Sequence, residues 1–127
     1  MKLININSLD AFDFLSQKAD SHLIDTRSYL EWKTTGIPDI SSINKETNLI
    51  NWGPVLDQNF FDKYKKFLTC RFNLKDSLFF ICRSGSRSNM AAQYAIKFGF
   101  KNCFNIYDGF YNENDQNWKI NLPVKFL

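Results

Sequence analysis

Residues 78–93, Leu-Phe-Phe-Ile-Cys-Arg-Ser-Gly-Ser-Arg-Ser-Asn-Met-Ala-Ala-Gln, constrain this chain more than any other stretch. A short apolar run rich in aromatics predicts a buried strand over 78–81, and small and apolar residues at helical spacing from Ser88 onward predict a helix with one buried face. Cys82 falls where strand gives way to helix. Between the two lie Arg83, Ser84, Gly85, Ser86, Arg87 and Ser88, a composition suited to a tight loop whose backbone N–H groups turn inward. A loop of that kind binds anions.

A thiol at the mouth of such a loop is expected to lose its proton easily, because inward N–H dipoles, a helix N-terminus and the guanidinium of Arg83 or Arg87 all favour the thiolate. Thiols in comparable surroundings have pKa values of roughly 3.5–7.5 rather than about 8.5. The alternative is a structural cysteine closing a core strand, which has no need of flanking arginines or a glycine turn.

These residues carry a family resemblance. Cys82-Arg83-Ser84-Gly85-Ser86-Arg87-Ser88, followed by Ala91-Ala92 and Phe98-Gly99-Phe100, resembles the active-site loop and following helix of rhodanese-type sulfurtransferases. Ile24-Asp25-Thr26-Arg27 with Glu31-Trp32 is similar to that family's Asp-x-Arg strand end and its acidic-aromatic helix. Asn105-Ile106-Tyr107-Asp108-Gly109-Phe110, Trp118-Lys119 and Leu122-Pro123 resemble its closing strand and tail. The resemblance covers nearly the whole chain. It implies an α/β rhodanese-like fold with a central, mainly parallel sheet of about five strands and helices on both faces. The segment from Thr35 to Lys45 departs from the commonest family pattern, Gly-His-Ile-x-Gly-Ala, and instead resembles a variant found among proteobacterial single-domain members. In the family that segment mainly packs, so nothing catalytic hangs on the missing histidine.

The chain's 127 residues, 44% hydrophobic and 17% aromatic, suit one domain over 1–127 with a real core. A net charge of +3 with scattered lysines gives no indication of a nucleic-acid partner. Cys70, Cys82 and Cys103 are widely spaced and odd in number, which fits neither a zinc pattern nor a disulfide framework. With no secretory signal core and no apolar run near the roughly 20 residues that span a bilayer, the expected location is the cytoplasm.

Along the chain, 2–6 reads as a short edge strand and Ser8 as the N-cap of a helix over 9–18 that buries Leu9, Phe12 and Leu15 with Ala11 and Phe14. Residues 22–25 read as a buried strand ending at Asp25, with His22 solvated at the far end. This strand should run parallel to the one before Cys82, since both precede helical segments, and that brings Asp25 and Arg27 to the rim of the same crevice. Asp25 is expected to orient Arg87 or Arg27 by a charge-assisted hydrogen bond, or to cap the helix that follows. The next strand is expected over 47–52, with Trp52 in the core or at the site's mouth. An amphipathic helix over 59–72 should turn Lys63, Lys65 and Lys66 to solvent. Beyond the loop, Met90, Ala91, Tyr94, Ala95 and Phe98 are expected to share a buried helix face that stops at Gly99, and 103–107 supplies the last strand. The polar stretch 112–117 is a candidate for an insertion that shapes partner choice. Cys70 and Cys103 lack a cationic cradle and read as bystanders, or as a resolving thiol in oxidation.

The resemblance implies that Cys82 carries a persulfide formed from thiosulfate or another small anionic sulfur donor, for delivery to cyanide, a thiol or an acceptor protein. Arg83 and Arg87 would hold the departing anion, while loop amides and the hydroxyls of Ser84, Ser86 and Ser88 cradle the sulfur. Ser88 alternatively caps the helix. No metal or organic cofactor is implied. A Cys-based phosphatase or arsenate reductase would carry a longer loop, with arginine where Ser88 stands. A binding module that keeps the fold without turnover is the other alternative.

Overall fold

The structure is a computed structural model and describes residues 2–114 and 116–127. Five parallel strands form the central sheet in the order β1-β6-β5-β2-β4. They are β1 (Ile4–Ile6), β2 (Ser21–Asp25), β4 (Asn48–Leu49), β5 (Ser77–Ile81) and β6 (Asn102–Ile106). β3 (Ile37–Pro38) and β7 (Val124–Lys125) make a separate antiparallel pair. The helices are α1 (Ser8–Gln17), α2 (Tyr29–Thr35), α3 (Gln58–Arg71), α4 (Ser86–Lys97) and α5 (Trp118–Asn121).

β5 shows how the sequence builds the layers. Successive side chains of a strand point to opposite faces. Leu78 and Phe80 enter the core under α3 and α4 with Tyr64, Leu68, Ala91, Ala92 and Ala95, while Phe79 and Ile81 enter the other core with Ala11, Leu15, Phe110 and Trp118. A strand covered on both faces must be apolar where it is buried, as this one is from Leu78 to Ile81. Alanines on the inner side of α4 let it lie close against β5 and β6.

Several boundaries differ from the sequence expectation. Asn7, not Ser8, caps α1, its side chain accepting from the Asp10 N–H at 2.8 Å. Ser8 is instead tied to Asp108, its N–H and hydroxyl both donating to that buried carboxylate. Leu9 and Met90 are exposed, because the buried stripes of α1 and α4 run through Ala11 and Leu15 and through Ser88, Ala91, Ala92 and Ala95. The strand expected over 47–52 shrinks to Asn48–Leu49. His22 is only partly exposed: its Nε2 lies 2.9 Å from Asp76 and its ring packs on Phe72.

Candidate active site

β2 and β5 are in register, Asp25 opposite Ile81, so both strands end at one level and their following loops share one crevice. The turn from β5 into α4 is held from both sides. Thr26 donates to the Ile81 carbonyl through its N–H (2.8 Å) and its hydroxyl (3.0 Å), while Phe110 and Tyr111 donate their N–H groups to the carbonyls of Cys82 (2.8 Å) and Arg83 (3.0 Å). Two glycines make these approaches geometrically feasible. Gly109 has φ +70°, and a Cβ there would run into the Arg83 carbonyl oxygen. Gly85 has φ +104°, and a Cβ would sit 2.9 Å from the Tyr107 carbonyl oxygen.

Cys82 sits on the floor of this loop rather than at its mouth, 1% exposed. Its Sγ accepts from the Gly85 N–H at 3.1 Å and lies 3.2 Å from the Ser88 Oγ. α4 starts at Ser86 behind Gly85 with no side-chain cap, so the first N–H groups of the helix are left for an anion. Ser88 is therefore not a cap; it lies inside the first turn, fully buried, with its hydroxyl between Sγ and Asn105 Oδ1 (2.6 Å). Arg83, Ser84 and Ser86 are exposed on the rim.

The two arginines of the loop are not equivalent. Arg87 makes a two-point ion pair with Glu31, Nη1–Oε1 2.7 Å and Nη2–Oε2 2.9 Å. Those bonds outweigh the cost of burial and hold the Glu31 carboxyl at about 2, down from an ordinary 4.5; Arg87 is raised in return. Glu31 is fixed by its own helix end, since it forms a capping box with Ser28. Arg83 points elsewhere, 5.9 Å from the ring centroid of Tyr111.

Asp25 does not reach Arg87 and does not cap α2; that cap is Ser28. Its carboxylate instead grips Arg27, at 2.7 Å to Nη2 and 3.0 Å to Nε, with both side chains buried. Arg27 also donates to the Gly36 carbonyl (2.7 Å) and the Thr35 hydroxyl (2.9 Å), and its guanidinium stacks 3.9 Å over Phe110. One buried cation thus ties β2, the end of α2 and the segment after β6 that braces the Cys82 loop. Among the openings beside the loop, two reach its arginines. A cleft of about 280 Å³ is lined by Arg27, Glu31, Arg83, Phe110, Tyr111 and Lys119. A more apolar one of about 250 Å³ is lined by Trp52, Pro54, Leu56, Ser86, Arg87 and Met90. Trp52 therefore serves both roles considered for it, 5% exposed in the core and facing the groove.

Cys103 is buried, and burial pushes its thiol up to about 12, whereas Cys70 is exposed. Of the 112–117 stretch, Asp115 lies outside the described residues. Asn112 bonds across it, donating to the carbonyls of Asp108 and Gln116. Among the described residues no group of three or more His, Cys, Asp or Glu side chains is placed to hold a metal ion, and no helix is long and apolar enough to cross a membrane. Two site residues are visible in the sequence only as motif members, without their partners. Glu31 pairs with a residue 56 positions away. Asn105, quoted with the closing strand, meets Ser88 17 positions away.

A parallel sheet whose strand ends present a cysteine loop against an Asp-x-Arg clamp defines an α/β protein of the rhodanese-like class. The family model for the rhodanese-like domain matches residues 8–116, and the chain belongs to that family. The chain is 38% identical over 128 residues to the RP600 protein of Rickettsia prowazekii (strain Madrid E) and to its homolog in Rickettsia rickettsii, covering 99% of this chain and 100% of each relative. Among solved structures, Rv0390 from M. tuberculosis superposes with a TM-score of 0.82 at 30% identity, over 95% of this chain and 96% of that one. The polysulfide-sulfur transferase homodimer from Wolinella succinogenes shares the fold, with a TM-score of 0.69 at 21% identity over 98% and 80%.

Proposed function

We propose that the protein is a sulfurtransferase that carries sulfane sulfur as a persulfide on Cys82. The Cys82 thiolate attacks the outer sulfur of a donor such as thiosulfate. A new S–S bond forms at Sγ, the donor's S–S bond breaks, and its electron pair leaves with sulfite. An acceptor then attacks the outer sulfur of the persulfide, and Sγ departs as thiolate. With cyanide the product is thiocyanate; a small thiol or a protein thiol takes the sulfur in the same way. The chemistry needs no metal or organic cofactor.

The observation that carries this reading is the Gly85 N–H aimed at Sγ from 3.1 Å, beneath an uncapped helix start. Arg83 is the residue we assign to the leaving anion, since Arg87 already serves Glu31. Ser84 and Ser86 line the approach, Ser88 and Gly85 face Sγ, and the buried Asp25–Arg27 pair supports the loop from below. The short loop, with Ser88 where a phosphatase would carry arginine, favours sulfur over phosphate. Three unpaired cysteines suit a reducing compartment, and we place the protein in the cytoplasm.

A thiosulfate:cyanide assay tests the proposal. Wild type is expected to turn over with ping-pong kinetics and Cys82→Ser to be inactive. An inactive wild type with every tested donor would leave the protein as a binding module of the same fold.

A further inference from the structure

Asn105 lies on β6 in the second layer around Cys82, 2% exposed. Its amide orientation is set by its surroundings: Nδ2 donates to the Gly85 carbonyl at 3.2 Å and to Asn5 Oδ1 at 3.3 Å, so Oδ1 faces the Ser88 hydroxyl at 2.6 Å. Ser88 has one proton and two neighbours that accept it, Asn105 Oδ1 and Cys82 Sγ at 3.2 Å. It donates to one at a time.

We propose that Asn105 is a positioning residue that acts through Ser88 as the resting acceptor of that hydroxyl proton, and so weakens the hold of the site on the bare thiolate. While Cys82 is a thiol, the chain of donors runs from S–H to Ser88 Oγ and from Ser88 O–H to Asn105 Oδ1. When Sγ becomes an anion, the Ser88 hydroxyl turns to it and Asn105 Oδ1 is left buried without its donor, which is unfavourable for a buried acceptor. Once sulfur is loaded, the negative charge moves to the outer sulfur, Sγ becomes a two-bonded neutral atom, and the Ser88 proton returns to Asn105. The side chain thus opposes only the thiolate, the one species that must react, and favours the thiol and the persulfide on either side of it. Ser88 and Asn105 keep their own protons throughout; only the hydroxyl hydrogen bond changes partner.

This inference rests on the sulfur-transfer reading for its purpose, but its test does not require turnover. The probe is iodoacetamide alkylation of Cys82 against pH, followed by mass spectrometry of the Cys82 peptide so that Cys70 and Cys103 do not contribute. The charged groups around Sγ are Arg83, Arg87 with Glu31 from α2, and Asp25 with Arg27 from the end of β2; every variant leaves them in place. Asn105→Leu is expected to move the half-maximal pH of alkylation down by about one unit, the worth of one hydrogen bond. Ser88→Ala is expected to move it up. The deciding arm is the double variant, which should behave as Ser88→Ala alone, because without the hydroxyl Asn105 has no route to Sγ. A downward shift that persists in the Ser88→Ala background would show that Asn105 works through the Gly85 carbonyl and overturn the proposal, as would no shift from Asn105→Leu. Asn105→Ala also removes Oδ1, and it replaces the leucine variant if that one does not fold by circular dichroism. If this cycle fails while wild type still accepts sulfur from thiosulfate, only the role of Asn105 falls. If the cycle holds and sulfur is never accepted, the hydrogen-bond switch stands and the transfer reading falls.

Discussion

Arg87 of the cysteine loop and Glu31 of α2 are bound to each other at two points, 2.7 and 2.9 Å, so the arginine nearest the helix start spends its charge inside the protein. Glu31→Gln keeps the shape and the capping box and removes the charge. Both partners are about 30% exposed, which limits the pair to about 1 kcal/mol, or a Tm lower by about 4 °C. The freed guanidinium should lower KM for an anionic donor. A calorimetric melt and a thiosulfate titration measure the two effects.

The same pair makes stability depend on acid. The Glu31 carboxyl stands at about 2 in the folded chain and near 4.5 when unfolded, so its contribution is complete above 4.5 and is lost as pH falls toward 2. Urea midpoints taken from pH 6 down to pH 3 should converge for wild type and Glu31→Gln. Parallel curves would contradict the assignment.

Asp25 and Arg27 are both buried, and removing one charge leaves the other uncompensated. Asp25→Asn is expected to cost about 3–5 kcal/mol, far more than loss of a helix cap. Chemical denaturation distinguishes these: a loss near 1 kcal/mol would mean that the ion pair adds little.

Gly109 fits under the Arg83 carbonyl in a left-handed conformation. Gly109→Ala brings both a φ penalty and a collision with backbone that has no room to yield, for a loss of about 2 kcal/mol or more. Because the collision falls on the residue after Cys82, sulfur transfer should drop along with Tm, whereas Gly53→Ala, whose Cβ would meet nothing within 4 Å, should spare transfer.

The two thiols outside the site should separate by reactivity. Cys103 is expected to resist iodoacetamide at pH 8.5 in the folded protein, since burial holds its thiol at about 12, and to react only in denaturant. Cys70 is exposed and should label in the native state. Peptide mapping before and after denaturation checks both.

What could be read from the sequence was whatever is local or periodic. The apolar run 78–81 gave a strand with residues on both faces, and Gly85 between charged and hydroxylated residues gave the turn that brings an N–H to the Cys82 thiol. Partner choice was not local. Asp25 had two arginines to choose from, and the nearer won because Arg27 folds back along its own strand end while Glu31 captures Arg87. β3 and β7, two residues each and paired across the chain, carry no period to detect. Leu9 and Met90 fit a helical spacing and still face solvent, because Ala11 and Ala91 beside them face the sheet.

The most direct measurement is the intact mass of the purified protein after incubation with thiosulfate and removal of excess donor. The account predicts the addition of one sulfur atom, mapped to the Cys82 peptide, released by cyanide and absent from Cys82→Ser. No added sulfur, or sulfur found on Cys70 with Cys82 unmodified, would contradict it.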